Sequence, residues 1–195
     1  MEKGDYLEML LRSANTVFSS KDILLIWGEP DSKAARARIN YYARKGKLYR
    51  VRRGLYAKDK NYDRFEFATK IFTPSYVSFE TVLTRAGIIF QFYGTTVFVA
   101  SYLKREIRAD EATYSYKKMK DDILTNHAGI EIRDAYSIAT PERAFLDLLY
   151  LNDDYYIDNP SPLDWKKVYA LLPLYGGNKR MEKRVQEHQE AERDI

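Results

Sequence analysis

Residues 32–58, SKAARARINYYARKGKLYRVRRGLYAK, decide the fold of the N-terminal third of the chain. This stretch holds ten basic residues and no acidic residue. Apolar and aromatic side chains, among them Ile39, Tyr42 and Leu48, are interleaved with the charges, which indicates folded structure and not a disordered basic arm. Because crowded like charges repel one another, we expect the segment to contact a polyanion, and an ordinary solvated surface is the alternative.

The excess of basic charge is confined to this segment. The 195 residues carry 32 basic and 28 acidic side chains, which gives a net charge of +4. Without the ten basic residues of 32–58, the rest of the chain has 22 basic residues against 28 acidic ones, a net charge of −6. The distribution predicts one nucleic-acid-binding surface in an otherwise acidic protein.

Composition excludes several classes of chemistry. The chain has no cysteine, which rules out disulfides, thiolate nucleophiles and cysteine-based metal sites. His127 and His188 are the only imidazoles, so histidine-rich metal sites and most nucleophile–histidine triads are disfavoured. There is no run of 18 apolar residues, and the polar start MEKGDY lacks the apolar region of a signal peptide. We therefore expect a cytoplasmic protein with no membrane partner.

Two amphipathic helices are predicted before the basic stretch. Apolar residues at helical spacing predict the first over residues 5–15. The second begins at a pattern close to a capping box, formed by Ser19 and Asp22, and Phe18 and Ile23 occupy the positions of a hydrophobic staple. The Gly-Glu-Pro sequence that follows ends the second helix.

A third helix is predicted from Asp31 or Ser32 to about Gly46. Steps of 100° per residue divide it into two faces. The face that suits packing in a core carries Ala35, Ile39, Tyr42 and Ala43. The other face suits a DNA major groove, because arginine pairs with guanine, asparagine pairs with adenine and alanine contacts the thymine methyl group. It carries Lys33, Arg36, Ala37, Asn40 and Arg44.

Two strand-like runs follow, Lys47–Val51 and Leu55–Lys58, joined by an Arg-Arg-Gly turn. Helix, helix, basic helix and basic hairpin in this order predict a winged helix-turn-helix domain over residues 1–60 that binds double-stranded DNA, as a possible dimer. The candidates for base contacts are Lys33, Arg36 and Asn40. The candidates for phosphate contacts are Arg44, Lys47, Arg50, Arg52 and Arg53. Arg38 completes the predicted DNA-binding set, but it is assigned to neither kind of contact because it projects from the flank of the helix.

Residues 61–195 are expected to form a separate mixed α+β domain, so the predicted fold class of the chain is α+β. A helix is predicted over 63–72, a second after a capping Ser78, and strands over 88–93, 94–101, 114–118 and 130–138. Thr140 and Pro141 begin a helix whose predicted buried side is Ala144, Phe145, Leu148, Leu149 and Leu151. Ser161, Pro162 and Asp164 begin another, and a charged helix over 178–194 ends the chain.

No pattern in residues 61–195 indicates an active site. Neighbouring acidic residues, such as Asp121 and Asp122, do not converge on one face of a helix or strand. Asp164 precedes Lys166 in a fragment of a nuclease-like pattern but has a capping role, and His127 lacks a nearby nucleophile pattern. The sequence has no glycine-rich phosphate-binding motif. We expect no catalytic, cofactor-binding or metal-binding residues, and no enzymatic activity.

Three stretches carry a family resemblance: GKLYRVRRGLYAK (46–58), FEFATKIFTPSYVSFETVLTRAGII (65–89) and SIATPERAFLDLLYL (137–151). In these stretches the chain resembles the AbiEi-type antitoxins of type IV toxin–antitoxin systems, which are associated with abortive phage infection in bacteria. The resemblance implies a transcriptional repressor whose N-terminal domain binds operator DNA with inverted repeats in its own promoter. It also implies that the C-terminal domain counters a nucleotidyltransferase toxin without a stable complex between the two proteins.

Two other functions remain open from the residues alone. The first is a nuclease-like nucleic-acid enzyme that a winged helix targets to its substrate, which requires converging carboxylates in the second domain. The second is a winged helix whose basic face binds an acidic protein.

Overall fold

The computed structural model describes residues 5–193 and divides them into two compact units. The first contains the described residues up to Ile71 together with Asp134–Tyr136. The second contains Phe72–Arg133 and the described residues from Ser137 onward. Helices and strands occur in both units, so the predicted α+β class is confirmed.

The first unit combines helices with a small antiparallel sheet. Its elements are α1 (Asp5–Arg12), β1 (Val17–Ser19), α2 (Ser20–Trp27), α3 (Lys33–Arg44), β2 (Tyr49–Arg52), β3 (Leu55–Ala57) and α4 (Arg64–Ile71). The strand order is β1-β3-β2, with Val17 paired to Ala57 and Arg52 paired to Leu55. Strand β1 was not predicted, because its three residues have no periodicity of their own and are held by pairing with a strand far along the chain.

The predicted starts of α2 and α3 are confirmed. The Ser19 hydroxyl accepts a hydrogen bond from the Asp22 backbone N–H, and the Asp22 carboxylate accepts one from the Ser19 N–H, which completes the capping box. Of the two candidates for the start of α3, Ser32 is the cap, because its hydroxyl accepts from the Ala35 N–H at 3.1 Å. Gly46 follows α3 in the left-handed conformation, with φ of 67°.

The apolar core of the first unit determines which face of α3 is exposed. Ala35, Ile39 and Tyr42 are buried in one cluster with Leu10 of α1 and Trp27 of α2. Fully burying a large apolar side chain contributes about 1.5–3 kcal/mol. The opposite face of α3 therefore stays in solvent.

Helix α4 belongs to the first unit through a buried glutamate. The Glu66 carboxylate accepts hydrogen bonds from the backbone N–H and the hydroxyl of Thr16, at 2.8 and 2.6 Å. Phe67 is also buried, and its ring centre lies 5.5 Å from that of Tyr62. The unit therefore extends past the predicted limit at residue 60. That limit rested on the polar composition of residues 58–63, which carries no information about the partners of α4.

The second unit is built on a six-stranded mixed sheet in the order β6-β7-β5-β4-β9-β8. Its elements are β4 (Ser75–Val77), α5 (Glu80–Arg85), β5 (Thr96–Ser101), β6 (Arg105–Ala109), β7 (Ala112–Lys118), α6 (Asp121–Leu124), β8 (Ile130–Arg133), β9 (Tyr136–Ala139), α7 (Pro141–Leu151), α8 (Trp165–Leu171) and α9 (Lys179–Arg193). Strand β5 is parallel to β7 and antiparallel to β4, and β4 is parallel to β9. Strands β4 and β6 were not predicted.

The predicted strand over residues 88–93 is wrong, because this segment is irregular. Ile88 and Ile89 are buried, which explains the apolar pattern. The backbone of this segment is hydrogen-bonded to another loop and not to a strand. The Asn159 N–H donates to the Ile88 carbonyl, and the Phe90 N–H donates to the Asp158 carboxylate. A short apolar run does not distinguish a buried loop from a strand.

Three smaller predictions in this unit are also wrong. Ser78 does not cap α5, because its hydroxyl donates to the Asp147 carboxylate at 2.8 Å. Ser161 does not cap α8, which begins after Asp164, whose carboxylate accepts from the N–H groups of the first turn. Leu151 is exposed, because it is the last residue of α7. The predicted cap of α7 by Thr140 is confirmed.

A polar network lies wholly inside the second unit. Arg143 and Asp147 of α7 have no exposed side-chain surface, and the guanidinium Nε donates to the carboxylate at 3.2 Å. The Asp147 carboxylate also accepts from the hydroxyls of Tyr76, Ser78 and Tyr175. Burial raises the pKa values of Tyr76 and Tyr175, so both phenols keep the protons that they donate. This network links α7 to the sheet.

Candidate nucleic-acid interface

Helix α3 presents the predicted polar face to solvent. Its exposed residues include Lys33, Arg36, Ala37, Asn40 and Arg44. Arg36 and Ala37 are adjacent, and every other step along this set is three or four residues, which keeps the set on one side of the helix. Ala35, Ile39 and Tyr42 point into the core, and Ala43 lies at its edge. The division of the helix into two faces is therefore confirmed.

The β2–β3 hairpin places further arginines in solvent. Arg50 and Arg52 of β2 are exposed and alternate with the half-buried Tyr49 and Val51. Arg53 is exposed in the turn. The buried residues of β3 fix the hairpin to the body of the unit, so its charged side faces outward.

Helix α3 and the hairpin together form a surface that we call the basic groove. Two neighbouring hollows make up this groove, and Asn40 and Arg50 line both of them. The groove is defined by Arg36, Asn40, Arg44, Arg50 and Arg53. Five of the nine predicted DNA-binding residues therefore lie together in it.

The remaining predicted residues divide into two groups. Three of them are exposed but do not line the hollows: Lys33 on α3, Lys47 in the segment before β2, and Arg52 on β2. Arg38 lies outside the basic groove: its Nη1 donates to the Glu29 carboxylate at 2.6 Å, and its guanidinium lies 4.1 Å from the centre of the Tyr6 ring. Hydrogen bonds from Tyr6 and Arg38 lower the pKa of Glu29. Arg38 thus ties α3 to α1 and to the turn after α2.

Asp31 is the acidic residue that sequence reasoning missed as part of the site. It lines the groove, and its two carboxylate oxygens accept hydrogen bonds from Nε and Nη2 of Arg36. These bonds lower the pKa of Asp31 and raise that of Arg36. The sequence indicated Asp31 only as a possible cap, because a five-residue spacing across a helix start is not a helical pairing signal.

The residues considered for other chemistry have structural surroundings. Asp164 caps α8, and His127 is exposed in the loop before β8. Burial lowers the pKa of His188, whose ring packs edge-on against Phe145 at 5.6 Å between ring centres. Within residues 5–193, no three His, Cys, Asp or Glu side chains are grouped so that they could hold a metal ion.

Comparison of the sequence with protein-family models and with curated proteins finds no match. Among the helices of the described residues, none is long and apolar enough to span a membrane.

Proposed function

We propose that the first unit is a winged helix-turn-helix domain and that the protein is a sequence-specific, DNA-binding transcriptional repressor. Helices α2 and α3 are the helix-turn-helix, α3 lies in the major groove, and the β2–β3 hairpin is the wing. The observation that carries this proposal is the basic groove, in which four arginines and Asn40 from two different elements line one exposed surface.

The positions of the side chains support two kinds of DNA contact. Lys33, Arg36 and Asn40 lie on one face of α3 and have the donors and acceptors that match base edges. The residues assigned to phosphates, which fix orientation without reading sequence, are Arg44, Lys47, Arg50, Arg52 and Arg53. Arg38 has no DNA contact in this proposal, because its guanidinium is engaged by Glu29 and Tyr6.

The experiment that tests this function is selection of duplexes from a random-sequence DNA library by the purified protein. We expect a short motif in two inverted copies about one helical turn apart, since dimeric repressors read two half-sites. A variant with Arg36→Ala, Asn40→Ala and Arg44→Ala should select no motif. Its control is Lys166→Ala with Lys167→Ala, which also removes two exposed positive charges, from the second unit, and should select the same motif as the wild type.

Three results of this experiment would contradict the repressor function. If no duplex is enriched, the proposal of DNA binding is contradicted. Binding of an acidic protein through the same groove would then favour a protein-recognition domain. An identical motif from the triple variant would move the DNA contact to another surface. Magnesium-dependent cleavage of the selected duplex would favour the nuclease-like function.

We also propose that the second unit acts as an antitoxin against a nucleotidyltransferase toxin encoded by a neighbouring gene. The support is the resemblance of residues 65–89 and 137–151 to AbiEi-type antitoxins. Co-expression with the toxin should restore growth, and the triple groove variant should restore it equally, because its changes leave the second unit intact. Failure of the wild type to restore growth contradicts the antitoxin function and leaves the DNA-binding function standing.

A further inference from the structure

We infer that Asp31 is a positioning residue that presents Arg36 to a guanine in the bound DNA. The inference rests on the proposed DNA-binding function and deepens it, because it assigns a base preference to one position of the groove and names the residue that enforces it.

The pair has a defined geometry at the start of α3. Asp31 precedes the capping Ser32, and Arg36 lies in the first turns of the helix. Nε of Arg36 donates to Oδ1 of Asp31, and Nη2 donates to Oδ2, so two parallel bonds orient the plane of the guanidinium. Both side chains remain largely exposed, at 65% for Arg36 and 50% for Asp31. The pair therefore restrains a long side chain without removing it from the surface.

The hydrogen bonds to Asp31 leave one edge of Arg36 open. A guanidinium has five N–H donors, and Asp31 accepts two of them. In the part of the chain that the structure describes, Arg36 makes no further hydrogen bond, so one donor on Nη2 and two on Nη1 are available. One donor from each of these nitrogens points in the same direction. Such a pair of parallel donors matches the O6 and N7 acceptors of guanine.

The charge of Asp31 is unfavourable in a groove that meets phosphates. Asp31 is the one acidic side chain among the groove-lining residues described by the structure. An exposed ion pair contributes little to stability, so the fold does not explain its presence. A carboxylate that occupies the Nε edge of Arg36 instead keeps this arginine from binding phosphates at random positions. Specificity is a difference between affinities, and weaker non-specific binding increases that difference.

The other arginines of the basic groove provide an internal contrast. Arg44, Arg50 and Arg53 have no carboxylate partner among residues 5–193. Their side chains are free to follow phosphates, which carry no sequence information. Arg36 is thus the one arginine of the groove that the structure holds in a fixed orientation.

The test compares the base preferences of the wild type, Asp31→Asn, Arg36→Lys and a control on the duplex selected by the wild type. Each base pair of that duplex is replaced in turn, and affinities are measured for all replacements and for random DNA. The control is Glu8→Gln, which removes one acid from another exposed arginine–carboxylate pair of the first unit, that of Glu8 and Arg12. Thermal unfolding establishes that each variant is folded.

We expect Asp31→Asn to bind random DNA more tightly than the wild type and to lose about tenfold of its preference for G·C at a single position. Arg36→Lys should lose the preference at that same position, because an ammonium has no fork of parallel donors. Glu8→Gln should keep every preference.

Two results separate the failure of this inference from the failure of the proposed function. In the first, the wild type selects a motif, but Asp31→Asn keeps all its base preferences or changes its affinity for specific and random DNA by one common factor, as expected for Glu8→Gln. This result overturns the positioning role and leaves the DNA-binding function standing. If the wild type selects no motif, both the proposed function and this inference are overturned.

Discussion

The two units each contain an arginine–aspartate pair, and the pairs differ in what surrounds them. Arg36 and Asp31 are largely exposed, whereas Arg143 and Asp147 have no exposed side-chain surface. The Arg143 guanidinium donates to the Asp147 carboxylate, to the Tyr76 hydroxyl and to backbone carbonyls, the closest of them at 2.6 Å. The buried arginine uses its donors within the protein, whereas three of the five donors of Arg36 make no hydrogen bond in the described part of the chain.

We expect the buried pair to matter for stability, and under the proposed function we expect the exposed pair to matter for DNA recognition. Removing one partner of a buried pair leaves an unpaired charge in a medium of low polarity, which is strongly destabilising. Removing one partner of an exposed pair leaves a charge that water solvates well. Replacing Arg143 should therefore lower the stability of the protein, whereas replacing Arg36 should change DNA binding and leave the stability nearly unchanged.

The largest effect is expected from Arg143→Ala. The free energy of unfolding should fall by about 3–5 kcal/mol, because Asp147 loses its cationic partner inside the second unit. Urea unfolding followed by circular dichroism measures the loss. Arg36→Ala is the matched control and should unfold at nearly the wild-type urea concentration. Equal unfolding midpoints for the two variants would contradict the expected difference between the two ion pairs in their contribution to stability.

A smaller effect, on binding and not on folding, is expected from Asn40→Ala. It should weaken binding to the selected duplex by about 1–3 kcal/mol and relax the preference at one base pair. Arg52→Ala should weaken binding to selected and random duplexes alike, because its proposed contact is with phosphate, which carries no sequence information. Fluorescence anisotropy with both duplexes tests this, and equal losses on the two duplexes for Asn40→Ala would exclude a base-reading role.

The third prediction concerns two arginines of the first unit that carry the same charge in different surroundings. Arg50→Met should reduce the slope of log affinity against log salt by about one, because it removes one of the proposed phosphate contacts. Arg38→Met should leave that slope unchanged and lower the melting temperature, because Glu29 and Tyr6 lose their partner. Salt titrations and thermal unfolding of both variants provide the measurements. A reduced slope for Arg38→Met would place Arg38 at the DNA.

The smallest effect is a pH dependence of the first unit. Hydrogen bonds from Tyr6 and Arg38 lower the pKa of Glu29 below its ordinary value of 4.5. A carboxyl whose pKa is lower in the folded state stabilises the protein above its ordinary pKa, and that stability is lost as the pH falls through the folded pKa. Glu29→Gln should therefore melt below the wild type at neutral pH, and the gap should close in acid. A gap that stays constant with pH would contradict the assignment.

Local patterns predicted much of the first unit because the signals there are short in range. The capping box of Ser19 and Asp22 and the left-handed Gly46 depend on neighbours within a few residues. The two faces of α3 follow from helical periodicity alone. Strand β1 was missed because its partners lie on β3, and the groove could be predicted as a set of residues but not as a shape.

The second unit was harder to predict because its determinants lie far apart in the chain. The local sequence predicts that Ser78 is a helix cap, but its hydroxyl donates a hydrogen bond to Asp147. Nothing in the local sequence indicates this partner on α7. No local pattern singles out Arg143 and Asp147, although they are the centre of the buried network. Asp31 of the first unit was missed for a different reason, because a five-residue spacing across a helix start is not a helical pairing signal.

The central claim, that the basic groove binds DNA, is tested most directly by the salt dependence of the wild-type protein on its selected duplex. Each neutralised phosphate contributes about −0.9 to the slope of log affinity against log salt. With five residues assigned to phosphates, we expect a slope of about −4 to −5 for each bound protomer. An affinity that does not change with salt would contradict it.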